Sequence, residues 1–315
     1  MIAIGKRVLI GAATLLGVSL VMFIALSLIP GDAAQVALGQ QATPEKLELL
    51  RAQYGLDRPL WQQYLDWLGG LAHGDLGSSV QTGRPIWESI APYVANSAVL
   101  AGLAILIMIP LAIALGVTAA VKRDSVIDHI ISSTGLTWAS TPEFVIGTLL
   151  ILVFTNWLGI LPATAIVDPS RPVIAQITVI ALPLLTLIFV SIAQSSRMIR
   201  ASMITVLGTD YIQAARLRGV PQSTIVWRHA LPNAASSIIA IVVLTVGWLV
   251  GGVVVTESLF QYPGLGVATT NAVNSRDTPT VLACCILITF VLIVANVLAD
   301  VVSGALDPRL RRRKA

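Results

Sequence analysis

The sequence predicts an all-α polytopic membrane protein with about six transmembrane helices, and three observations lead there. Of its 315 residues, 56% are hydrophobic and only 11% charged, against roughly 25% charged in ordinary soluble domains. About six runs nearly free of charge reach the roughly 20 residues that cross a hydrocarbon core of about 30 Å as helix. Lysine and arginine, finally, are unevenly shared between the segments joining these runs. Helix is the spanning element because lipid offers no partners to unbonded backbone groups.

The first run, 8–29, follows Lys6 and Arg7. Ala33, Ala34 and Ala37 just beyond it invite a signal-peptide reading, but its roughly 22 residues exceed the 7–15 of a signal core. It is read as an uncleaved span, completing a first region at 1–29. An extracytoplasmic segment follows at 30–96. There Thr43, Pro44 and Glu45 read as a helix start, Leu47, Leu50 and Tyr54 share a face, and Gly55 reads as a stop. Leu60, Tyr64, Trp67, Leu68 and Leu71 then recur at helical spacing, with rings suited to a membrane interface or a partner groove. Surface packing helices and a docking platform for an external partner both satisfy this pattern.

The core region, 97–304, holds five further spans at 97–121, 144–160, 175–193, 236–259 and 278–303. Pro110 and Pro183 fall inside two of them, where kinks are expected and neighbouring helices satisfy the freed carbonyls. Glu143, after Pro142, reads as a carboxylate at a helix N-terminus, which needs no transport role; Asp300, near the end of the last run, is equally ambiguous. Cys284 and Cys285 are adjacent within the last run, which suits neither a disulfide framework nor metal spacing. They are read as small core residues. The tail at 305–315, with Arg309, Arg311, Arg312, Arg313 and Lys314, is read as lying against anionic lipid.

Orientation follows from the 20 lysines and arginines. Lys46, Arg51, Arg58, Arg84, Arg171 and Arg276 fall on one side of the predicted spans; all the others, Arg197, Arg200, Arg216, Arg218 and Arg228 among them, fall on the other. Cytoplasmic loops retain basic residues, so both termini are expected in the cytoplasm. The formal charge of +4 is explained by this topology and forms no separate basic domain for nucleic acid.

Between the fourth and fifth spans stands DYIQAARLRGVPQSTIVWRHALPNA, residues 210–234. Nothing breaks a helix before Arg218; Gly219 suits its stop and Pro221 the first turn of a second short helix. Ala214 and Ala215 remove bulk, so that a partner can approach the backbone. His229, with Leu231 and Pro232 behind it, leads back towards the membrane and has no second ligand at metal spacing. Arginines that merely snorkel to lipid phosphates explain Arg216, Arg218 and Arg228 but give no reason for the Ala-Ala, Gly, Leu-Pro order. With about 25 residues, the loop offers as many as one side of a standard protein interface.

The order Gln213, Ala214, Ala215, three residues, Gly219, nine residues, then His229, Ala230, Leu231 and Pro232 resembles the EAA motif of bacterial ABC-importer permeases. Gln213 stands where the motif has glutamate and His229 where it has an aliphatic residue. IPGDAA, GLDRPLWQQY, GDLGSS, ESLFQYPGLG and LDPR extend the resemblance over almost the whole chain, to the first membrane subunit of the dipeptide and oligopeptide branch. The resemblance implies a type I importer permease in the bacterial cell membrane, paired with a sister permease. It also implies two cytoplasmic ATPase subunits seated on coupling helices in the 210–234 loop, and an extracytoplasmic peptide-binding protein. Nickel chelates and glutathione-like molecules are carried by similar subunits.

The chain has no P-loop, HExxH or GxSxG sequence; no catalytic, metal or cofactor residues are assigned, and ATP with magnesium is expected on the partners. An ion-coupled secondary transporter would need midplane carboxylates or two broken, repeated halves, and a membrane hydrolase a nucleophile or metal motif. Glu257, with the Pro263, Gly264 and Gly266 turn, is a candidate outer gate, since an interfacial carboxylate is functional by default and glycine permits tight backbone paths; a snorkelling carboxylate at the water boundary is the bland alternative.

Overall fold

The computed structural model describes residues 2–29 and 31–306. Pro30 and the greater part of the predicted basic tail, 307–315, lie outside them, as do the side chains of Lys6, Arg7 and Asp300. Among the described residues, five helices are long and apolar enough to cross a membrane, or six when a pair bent by 107° counts as one span. The described residues divide into two compact units, 1–97 with 263–293, and 98–262 with 294–315.

In the first unit, α1 (Ile2–Ser27) is a span that buries Ser19 and leaves Thr14 and Ser27 exposed. Ser19 Oγ lies 2.9 Å from the Tyr64 hydroxyl, and the Phe23 and Tyr64 rings are 5.3 Å apart, which seats α4 (Leu60–Ala72) on it. Between them come the short α2 (Ala33–Leu38) and α3 (Pro44–Tyr54), which begins on a Thr43 side-chain cap and ends on Gly55 at φ 66°. The punctuation read from sequence sets these ends. A turn then ties to the start of α13 (Thr278–Leu306): buried Asp277 accepts from Ser79 Oγ at 2.5 Å, Thr280 Oγ1 at 2.8 Å and Val80 N–H at 3.2 Å. Around α12 (Leu265–Asn274), Ile86, Ile90, Leu265 and Cys284 pack into one apolar cluster.

The second predicted span is longer than its apolar run. Helix α5 (Ile86–Val121) has 36 residues, about 54 Å at 1.5 Å per residue, and starts eleven residues before the predicted 97. Glu88, Pro92 and Asn96 dilute the hydropathy of that first part without breaking the helix. It continues through Pro110, as α8 (Ile177–Leu207) does through Pro183.

In the second unit, the third predicted span, 144–160, is corrected. An unpredicted helix, α6 (Val126–Ala139), precedes a break, and α7 (Glu143–Leu150) follows at the 107° bend. From Ile151 to Trp157 the backbone is π-helical. Asp128 of α6, 2% exposed, takes a bidentate pair of bonds from Arg200 of α8, both 2.6 Å, with Ser132 Oγ adding a third at 3.1 Å. Arg200 therefore has a structural partner besides its bearing on topology. Helix α8 packs most extensively on α11 (Leu231–Phe260), where the Ser195 and Thr245 hydroxyls meet at 2.8 Å.

Candidate functional site

The 210–234 loop is built on the end of α8. Helix α9 (Asp210–Leu217) is about 12 Å long and closes in a Schellman motif: Gly219 N–H bonds Arg216 O at 2.9 Å and Val220 N–H bonds Ala215 O at 3.2 Å. Gly219 sits at φ 75° with no heavy atom within 4 Å of where a Cβ would stand. Left-handed backbone, not crowding, therefore requires glycine here.

The two alanines separate. Ile212 and Ala215 are buried among Ile225, Val226 and Ala230, and Ala214 is only partly covered. Successive helical residues lie about 100° apart, so a single face cannot present both. The expectation that both alanines open the backbone to a partner is corrected for Ala215, which lets α9 settle on the chain's own core. What the helix shows outward is Asp210, Tyr211, Gln213, Arg216 and Leu217, with Leu217 91% exposed, and exposed Arg218 and Gly219 follow it. Tyr211 and Trp227 are the other large apolar side chains exposed within residues 210–234. The signal for Leu217 in the sequence is its place between two arginines, where no amphipathic helix would spend an inward leucine.

The predicted second short helix is also corrected. A single turn, α10 (Gln222–Thr224), runs into a π segment, Ile225–Ala230, and on without a break into α11. Pro232 has no N–H to give, and a π segment directly ahead of it absorbs the missing bond. The Asn233 side-chain amide caps the His229 carbonyl at 2.6 Å. His229 is partly covered and Leu231 packs at the edge of the core, while Arg228 and Pro232 are exposed.

At the far end of α11, Glu257 is fully buried and its carbonyl accepts from Tyr262 N–H at 2.9 Å. The left-handed residue of that turn is Gln261, at φ 53°. Gly264 is extended, at φ −112°, and caps α12; Gly266 lies within α12. The expectation that these glycines supply an unusual backbone path is thus corrected. Pro263 offers its carbonyl to Asn96 at 2.8 Å.

A second polar locus was not singled out as a site in the sequence. At the bend before α7, Thr256 Oγ1 donates to Glu143 Oε1, and a Cβ at Gly252 would fall 2.5 Å from Glu143 Oε2. Glu143, Gly252, Ser191, Gln194, Thr245 and Trp248 border a narrow cleft.

Two family models match the chain: "Binding-protein-dependent transport system inner membrane component" over 112–312 and the N-terminal membrane component of the same systems over 1–116. Among curated proteins it is 34% identical over 325 aligned residues to the dipeptide transport system permease protein of Escherichia coli (strain K12), covering 96% of each chain. It is 32% identical to the protein of that description from Alkalihalophilus pseudofirmus, covering 97% of this chain and 98% of that one.

Proposed function

This chain belongs to the binding-protein-dependent transport system inner membrane components, the permease subunits of ABC importers, and from that premise we propose that it carries dipeptides and short oligopeptides across the bacterial cell membrane. It does so beside a sister permease, powered by two cytoplasmic ATPase subunits and supplied by an extracytoplasmic peptide-binding protein. Both termini and the 210–234 loop face the cytoplasm, and ATP with magnesium is held by the ATPases. Peptide cargo is supported by the descriptions of the relatives, each similar along nearly its entire length.

The observation that carries the coupling role is Leu217. A leucine 91% exposed, between Arg216 and Arg218 on a helix whose opposite side is packed, is unfavourable in water and suits a protein cleft. Helix α9 continues from α8 across Gly208 and Thr209, and the π-helical return leads into α11. A push on the loop therefore moves two spans that pack together. ATP-driven closure of the ATPases tilts those spans and opens the path outward, binding energy at one site being converted into a population shift at another.

The test is Gly219→Val in the complete assembly in proteoliposomes, supplied with its binding protein. The chain inserts and the wild-type assembly takes up dialanine, while the variant loses uptake and the stimulation of ATP hydrolysis by loaded binding protein. Unimpaired uptake by the variant would contradict the lever.

A further inference from the structure

The cleft beside Glu143 lies among the middles of the long helices that border it in the second unit. Gln194 is about 26 Å along α8 from Ile177 and about 20 Å from Leu207; Thr245 is about 21 Å from the start of α11 and about 22 Å from its end. Both belong to the middle of their helices. Glu143 arrives at this depth because the α6–α7 pair breaks before it with a 107° bend. Non-helical backbone within a bilayer persists only where protein buries it or water lines it.

Three features of this cleft ask for a ligand. Glu143 is held in place, its Oε1 by the Thr256 hydroxyl and its Oε2 over Gly252, where a side chain would occupy the carboxylate's position. Among the described residues it forms no ion pair, and none of the cleft's bordering residues is cationic. Gln194 and Trp248 are exposed in the chain, Trp248 by 65%; an exposed amide beside a carboxylate is too costly to turn to lipid at mid-span.

We propose that Glu143 is a cargo-binding residue inside the translocation path, receiving the ammonium group of a peptide's free amino terminus, with Gln194 available to the peptide amide and the Trp248 face to a cation or apolar side chain. The single compensating charge for Glu143 is brought by the cargo. Thr256 and Gly252 are positioning residues that aim the carboxylate. This rests on the peptide-permease reading and deepens it: the membrane subunit itself distinguishes a charged from a blocked amino terminus.

The experiment uses the complete assembly with its binding protein in proteoliposomes, and dialanine as probe. Glu143→Gln raises the KM for dialanine uptake by about tenfold, the loss of one charge-assisted contact, while Glu143→Asp recovers most of it. In parallel, Gln194→Cys reacts with a water-soluble cationic thiol reagent. Saturating dialanine slows that reaction, N-acetyl-dialanine does not, and the protection disappears when Glu143→Gln is added. An unchanged KM in Glu143→Gln, equal protection by both peptides, or a thiol at position 194 that no aqueous reagent reaches would each overturn the proposal while leaving the peptide-permease reading standing. Failure of the wild-type assembly to take up dialanine at all would overturn both.

Discussion

The chain leaves straight membrane helix at two contrasting places, the 210–234 loop and the break between α6 and α7. Both interrupt a helix with a proline close by, Pro221 in one and Pro142 in the other. In the loop the chain turns at Gly219 in left-handed backbone and presents Arg216, Leu217 and Arg218 outward. At the break it turns inward by 107° and brings a carboxylate to Thr256. One interruption makes a surface for another protein, the other a polar point among apolar spans. The difference lies in what surrounds them: the loop is fixed by its own short-range bonds, whereas the two helices flanking the break are held by partners more than 70 residues away, Arg200 for Asp128 in the first turn of α6 and Thr256 for Glu143 at the start of α7.

On that contrast, breaking the long-range Asp128–Arg200 pair that anchors α6 should cost stability, while substitutions in the loop or beside Glu143 should cost transport. The largest effect is expected at Asp128, 3% exposed in its side chain. Asp128→Ala strands Arg200 and destabilises the second unit by about 3 kcal/mol, read as a lower thermal midpoint of the purified assembly. Asp128→Leu with Arg200→Met recovers most of the loss, because an apolar pair leaves no charge unpaired. If Asp128→Ala unfolded at the wild-type midpoint, α6 would not depend on its distant partner.

Gly219→Val comes next. It forces a β-branched residue to φ 75°, at about 1–2 kcal/mol, confined to the end of α9. The thermal midpoint moves little and uptake is lost. A midpoint as low as that of Asp128→Ala would erase the contrast between the two places.

The smallest stability change is expected of Gly252→Ala. Its new Cβ would lie 2.5 Å from Glu143 Oε2, but a carboxylate at the end of a flexible side chain swings aside, so the loss stays below about 1 kcal/mol. The carboxylate leaves Thr256, and the KM for dialanine rises while the midpoint holds. An unchanged KM would mean that the aim of Glu143 is irrelevant.

Legibility in the sequence follows the same division. Thr43, Pro44 and Gly55 set the ends of α3, and Gly219 the end of α9, because caps and left-handed turns are local chemistry. The spans were visible from hydropathy alone, with the exception of α6, where Asp128, His129, Ser132, Ser133 and Thr134 mask a helix that is polar for a reason lying 72 residues on. Hydropathy is silent about hydrogen-bond register, so the π segments at Ile151–Trp157 and Ile225–Ala230 left no trace. The alanine pair in the loop was legible as small residues but not as one inward and one outward, since which side of α9 is covered depends on Ile225, Val226 and Ala230. Glu143 was visible as a carboxylate after a proline; that it faces Gly252 and Thr256 across more than 100 residues was not.

The coupling role of the loop requires that the outward side of α9 touch a nucleotide-hydrolysing subunit. Leu217→Cys, in an otherwise cysteine-free assembly that still takes up dialanine, should form a short-linker crosslink to an ATPase subunit, with a yield that changes when ATP is added. If the introduced thiol in that working assembly reacted freely with soluble maleimide under every nucleotide condition and captured no ATPase, the loop would not be the coupling surface.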